Sequence, residues 1–148
     1  MTTPEPDGLL AEQLLRLTRR IHRSQQRRLE SAGVAITPAQ SRLLRALAQE
    51  ERPPRMADLA ARLEVVPRAV TTLVDGLEAA GRVRRAPDAE NRRVIRVELT
   101  DTGRATLRAL REARREAAED ILSPLTPRQR ADFGALLSTL VDSGPHTC

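Results

Sequence analysis

Apolar residues recur at helical spacing along most of the chain. Leu10, Leu14, Leu17 and Ile21 form the stripe of a helix predicted over residues 9–32, with Gly33 as its stop. Arg16, Arg19, Arg20, Arg23, Arg27 and Arg28 fill most of its remaining surface. A second start is marked at Thr37-Pro38-Ala39-Gln40, where a capping threonine precedes a proline and a glutamine follows three residues later. That helix carries Leu43, Leu44 and Leu47 and dissolves over residues 50–54. Residues 56–63 read as a short helix with Leu59, Ala60 and Leu63 inward. After a brief turn at 64–66, Pro67 opens another helix to Ala80 with Val70, Leu73, Val74 and Leu77 on one face. Gly81 stands at the left-handed stop position just beyond.

The pattern then changes period. Residues 82–86 and 94–99 read as strands around a polar loop at 87–93, and Ile95, Val97 and Leu99 alternate with Arg96 and Glu98. Two short helices joined by a tight turn form a helix-turn-helix, whose second helix is offered to the major groove. A β-hairpin directly after it makes a winged helix, with residues 87–93 as the wing tip. Thr100 caps a long helix over 101–122, and Thr126-Pro127-Arg128-Gln129 repeats the capping signature of Thr37. The last helix presents Phe133, Leu136, Leu137 and Leu140 at helical spacing, and residues 143–148 read as a loose tail. The fold class predicted is mainly α with a small β-hairpin (α+β), one domain over 1–148. A winged-helix DNA-binding lobe at 37–99 is flanked by dimerisation helices at 9–32 and 101–142. A homodimer is expected, because two recognition helices one duplex turn apart read a palindrome.

Composition narrows the partner. The 148 residues are 40% apolar and 30% charged, with a net charge of +5, and the count of 25 basic residues is entirely arginine. Arginine's planar fork suits phosphate oxygens and guanine edges. A GC-rich coding sequence would give the same bias, so charge alone says only that a polyanion is a candidate partner. Phe133 is the single aromatic residue, which disfavours single-strand binding on stacking platforms. The absence of an apolar run of about 18 residues leaves no membrane span. Residues 1–8 lack the basic and apolar regions of a secretory signal, and the one cysteine, Cys148, fits a reducing cytoplasm.

No constellation for catalysis stands out. The glycines are scattered, no nucleophile elbow or zinc-protease motif is present, and His22 and His146 lie far apart. The acid pairs Glu50-Glu51 and Glu119-Asp120 fall on polar helix faces. The expectation is a non-enzyme with no catalytic residue, no metal and no cofactor, in which Cys148 is an incidental thiol rather than a redox sensor.

From Ile36 to Leu107 the chain resembles the MarR family of bacterial transcriptional regulators, through ITPAQSRLLRAL, MADLAARLEV, AVTTLVDGLEAAGRVRR and DAENRRVIRVELTDTG in that order and spacing. The resemblance implies an interlocked homodimer that regulates, usually represses, a nearby promoter and is released by a small anionic or phenolic effector. It directs Arg68, Ala69, Thr71 and Thr72 toward double-stranded DNA, with Arg92 and Arg93 on the wing and Arg93 as the minor-groove probe. It also implies an effector site near Leu17, Ile21, His22, Leu43 and Leu47, residues that would equally serve as plain core. Three positions depart from the family pattern. Asn91 replaces a usual aspartate that braces the wing arginines, Val66 replaces a usual capping serine, and Thr72 stands where arginine is frequent. Two other readings compete: an architectural DNA binder of low specificity, and a winged-helix module for protein association.

Overall fold

Both Thr-Pro-x-Gln signatures close as capping boxes. In each, the threonine Oγ1 accepts from the glutamine N–H and the glutamine Oε1 accepts from the threonine N–H, at 3.1 Å around Thr37 and at 3.2 and 3.0 Å around Thr126. Each such cap contributes about 1 kcal/mol by satisfying helix donors that would otherwise lack partners. The computed structural model describes residues 6–143, as helices α1 (Pro6–Ser31), α2 (Pro38–Ala48), α3 (Met56–Leu63) and α4 (Pro67–Ala79), strands β1 (Val83–Pro87) and β2 (Ile95–Leu99), and helices α5 (Asp101–Leu122) and α6 (Pro127–Asp142). The chain divides into two compact units, one made of the chain up to Gln25 with Arg114 onward, the other Gln26–Ala113. α1 and α5 contribute residues to both.

In the second unit, Leu43, Leu44, Leu59, Val70, Val74, Leu77 and Val97 are fully buried in one cluster, joined by Leu29 from α1 and by Leu107 and Leu110 from α5. Full burial of each such side chain is worth about 1.5–3 kcal/mol. The helix ends follow one rule. Val34 donates to Leu29 O, Val65 to Ala60 O and Arg82 to Leu77 O, the wrapped bond that ends a helix when the preceding residue is left-handed. Glycine takes that conformation at Gly33 and Gly81, both at φ 72°, but in the turn between α3 and α4 it falls to Glu64 at φ 55°. A side chain there carries about 1 kcal/mol of strain, so the tight turn of the helix-turn-helix is held by its surroundings.

β1 and β2 pair antiparallel from Val83↔Leu99 to Pro87↔Ile95. Each strand starts one residue later than the alternation predicts, and β1 also runs on to Pro87. Ile95, read as inward, is 37% exposed, because it pairs at the far end of the hairpin beyond the core that buries Val97 completely. A bridge between Arg55 and Arg96, with Val97 donating to Pro54 O at 2.9 Å, lays residues 54–55 along the free edge of β2. Thr100 then ties the hairpin to α5: its Oγ1 accepts from Gly103 N–H at 3.0 Å and donates to Gly81 O at 2.5 Å.

In the first unit, Arg130 pairs with Glu119 at 3.2 Å. α6 has no buried residue, and Leu136 and Leu140 are each 65% exposed. On α1, Leu9, Leu10, Leu14 and Leu15 are likewise exposed. Among the described residues no helix is long and apolar enough to cross a membrane.

Candidate nucleic-acid interface

α4 is amphipathic in a way that sets its polar face free. Val70, Val74 and Leu77 are fully buried, while Arg68, Thr71 and Thr72 are exposed and Ala69 is half-buried. The helix starts at Val66-Pro67 with no side-chain cap: Pro67 carries no N–H, Ala69 N–H donates to Val66 O at 2.9 Å, and the Arg68 N–H is the first-turn donor that keeps its capacity to meet an anion. Thr71 Oγ1 donates to Pro67 O and Thr72 Oγ1 to Arg68 O, each at 3.2 Å. Both hydroxyl protons are thus engaged within the helix. Each oxygen keeps a lone pair with acceptor capacity, and donating to an outside group would require the hydroxyl to turn outward. Arg68 has no ion pair or side-chain hydrogen bond among the described residues.

The wing is built around Asp88. Its Oδ1 accepts from the N–H of Glu90 at 2.8 Å and of Asn91 at 3.2 Å, and its Oδ2 pairs with Arg96 Nε. Arg96 in turn donates through Nη1 to Pro53 O at 2.7 Å. The Arg96 guanidinium, aided by the two N–H groups, holds the Asp88 carboxyl at about 2, below its ordinary 3.8. Asn91 makes no bond to an arginine side chain. Its Oδ1 accepts from the Arg93 backbone N–H at 3.2 Å, so a neutral turn stands where the family's aspartate would brace. Asp88 pairs instead with Arg96 on β2, and the Arg92 and Arg93 guanidiniums are exposed without an ion pair among the described residues.

A second clamp joins wing to recognition helix. Arg85 donates to Asp75 Oδ1 at 2.6 Å and Glu78 Oε1 at 2.8 Å, and its backbone N–H meets Glu78 Oε2 at 3.0 Å. The Asp75 hydrogen bond, ahead of Glu78, raises the already high Arg85 pKa. The arginines therefore divide by task. Arg85 and Arg96 are held inside the frame, and Arg68, Arg92 and Arg93 are exposed without a side-chain partner among the described residues. None of Asp75, Glu78, Arg85, Asp88 or Arg96 stood out in the sequence as a site residue; the one local signal was an aspartate directly after Pro87, a turn-forming pair.

The residues proposed from the sequence for an effector lie in different units: Leu17, Ile21 and His22 in the first, Leu43 and Leu47 in the second. Leu43 and Leu47 are buried core, Leu17 and Ile21 are half-buried, and His22 is exposed. No group of three or more His, Cys, Asp or Glu among the described residues is placed to hold a metal. His146 and Cys148 lie outside the described residues.

Known proteins share this fold. The MarR family model matches residues 36–95. The transcriptional repressor MdtR of Bacillus subtilis is 32% identical over 138 residues, which cover 93% of this chain and 88% of MdtR. The chain belongs to the MarR family. The transcriptional regulator PecS of Dickeya dadantii is 38% identical over 68 residues, 46% of this MarR-family chain, and the match spans only 41% of PecS. Among solved structures, RV1404 from Mycobacterium tuberculosis superposes with a TM-score of 0.82 at 27% identity, covering 99% of each chain. Its likeness, with that of the B. subtilis YusO crystal structure (TM-score 0.81, 27% identity, 95% of this chain and 99% of YusO), extends over both units of the MarR-family chain.

The wing frame has a pH signature. Because the folded Asp88 carboxyl lies below its ordinary 3.8, its contribution is present above that value and is lost as pH falls through about 2. The Asp88 carboxyl carbon, followed by NMR, should titrate near 2. A midpoint near 4 would mean that Arg96 does not hold it.

Proposed function

We propose that this MarR-family chain is a sequence-specific regulator, a repressor like the MdtR its sequence matches, that binds a palindromic operator in double-stranded DNA as a homodimer in the cytoplasm. The observation that carries the reading is the division of the arginines: a frame clamped by Arg85 and Arg96 presents Arg68 on α4 and Arg92 and Arg93 on the wing without side-chain partners among the described residues. Arg68 is suited to the O6 and N7 of guanine, and Arg93 to a narrow minor groove. Thr71, Thr72 and Arg92 complete the contacts to bases and phosphates, with Ala69 against a base edge.

Fluorescence anisotropy with the DNA upstream of the gene tests this. The upstream fragment should bind at least about 10³-fold more tightly than scrambled DNA, with affinity falling steeply as salt rises. Equal binding to scrambled DNA would favour the architectural reading. The regulation proposed includes release by a small anionic or phenolic effector that prefers a DNA-incompetent form of the dimer.

Exposed leucines on α1 and α6 support the dimer, since burying each against a second copy gains about 1.5–3 kcal/mol. The double substitution Leu136→Glu with Leu140→Glu should therefore give a monomer in sedimentation velocity where the wild type sediments as a dimer. An unchanged dimer would mean that α6 lies outside the interface.

A further inference from the structure

α1 carries a face whose charge the winged helix does not use. Arg16, Arg19, Arg20 and Arg23 stand at i, i+3, i+4 and i+7, are all exposed, and have no ion pair or hydrogen bond among the described residues. With Gln13 and Leu17 they line a groove of about 540 Å³, into which no carboxylate projects. Four like-charged pairs at spacings of three and four oppose helix formation, and Glu12, four residues before Arg16, is the one acid of α1 at pairing distance from them. Leu10, Leu14 and Ile21 fall on another side of the helix, whereas Leu17 borders the arginines, and the exposed Leu9 and Leu15 stand seven residues before Arg16 and four before Arg19 on their side.

We propose that this arginine face of α1 binds the phosphate backbone of duplex DNA, as a contact additional to α4 and the wing. The inference rests on the DNA-binding reading above, which supplies the polyanion. Charge density favours duplex DNA over other occupants. Seven residues of helix span about 10.5 Å, and a duplex presents one phosphate per about 1.7 Å of axis. A small carboxylate would satisfy only one or two of the four guanidiniums. Single strands call for stacking platforms, and the chain has one aromatic residue, Phe133, which is not on α1. A row of cations without interleaved acids or aromatics suits backbone contact without base readout.

The test compares the wild-type dimer with R16Q/R20Q/R23Q on a duplex of about 60 base pairs, as affinity against salt. Glutamine keeps helix propensity and removes charge. The log–log slope should become shallower by about 0.9 per lost phosphate contact, so by about 2.7 per protomer. R16K/R20K/R23K should restore it, because lysine still meets phosphate as a point charge. A slope unchanged in R16Q/R20Q/R23Q, while the upstream fragment is still preferred over scrambled DNA, overturns the inference and leaves the operator reading intact. A shallower slope with no preference for the upstream fragment supports the α1 contact and counts against the operator reading. Loss of the dimer in R16Q/R20Q/R23Q, seen by sedimentation, would assign the face to the second copy and overturn the proposal.

Discussion

Replacing Gly103 by alanine is expected to destabilise the winged lobe by about 3 kcal/mol, lowering the melting temperature by on the order of 10 °C. Gly103 lies in the first turn of α5, where a Cβ would come within 2.0 Å of the Arg82 carbonyl oxygen and 3.2 Å of the Leu99 side chain. That carbonyl cannot step aside, because it accepts the Thr100 N–H at 3.2 Å and follows directly on the Gly81 helix end. Alanine's better helix propensity returns only about 1 kcal/mol. Gly76, in α4, is the control: its Cβ would meet only the far end of the Gln40 side chain, whose displacement costs at most the Thr37 cap, about 1 kcal/mol, against a similar gain in helix propensity. Gly76→Ala should stay within about 1 kcal/mol of wild type. The readout is thermal and urea unfolding followed by circular dichroism. Equal stability for the two variants would refute the close approach of α5 to the end of α4, and with it the way the hairpin is anchored.

That junction shows what local sequence could and could not reveal. The caps at Thr37 and Thr126, the stops at Gly33 and Gly81 and the bounds of α3 are readable because each depends on residues within one turn. The winged-helix order followed from the same local signals placed in sequence. The bracing did not. Arg96 meets Asp88 eight residues away and Pro53 O forty-three away, and Arg85 meets Asp75 and Glu78 across the end of α4. Among 25 arginines and 20 acids, spacing alone leaves many pairings open, and only the fold selects these.

The same limit explains Asn91. Read against the family pattern, it marks a missing brace, since pattern comparison looks for the lost aspartate at its own position. The fold shows a neutral turn at Asn91, and beside it an ion pair of Asp88 with Arg96 that leaves Arg92 and Arg93 unpaired among the described residues. Periodicity fails differently at Ile95 and on α6. Alternation and helical spacing identify a face, but whether anything covers that face depends on how far the core extends. Ile95 lies at the outer end of the hairpin, and Leu136 and Leu140 face outward on a helix with no buried residue. Unsatisfied apolar spacing on α6 therefore says nothing of this chain's own core, and it is the observation on which the proposed second copy rests.

The substitution Arg68→Ala should reduce affinity for the upstream fragment far more than affinity for scrambled DNA. A bidentate arginine–guanine contact discriminates by about 1–3 kcal/mol, and a homodimer loses two. A total near 4 kcal/mol corresponds to a drop on the order of 10³-fold. Arg93→Ala should behave differently. A guanidinium in the minor groove is drawn mainly by concentrated phosphate potential, so its loss should flatten the salt dependence by about 0.9 per protomer and weaken A·T-rich sites most. The two variants separate base readout from charge because the frame that positions them is intact in both: Arg68 and Arg93 make no side-chain bond within the described chain, so removing either leaves the Asp88–Arg96 and Arg85–Asp75 pairs in place. Competition anisotropy across a salt series reads both effects at once. If Arg68→Ala weakened upstream and scrambled DNA equally, α4 would be holding phosphates rather than bases, and specificity would have to come from the wing and the shape of the duplex.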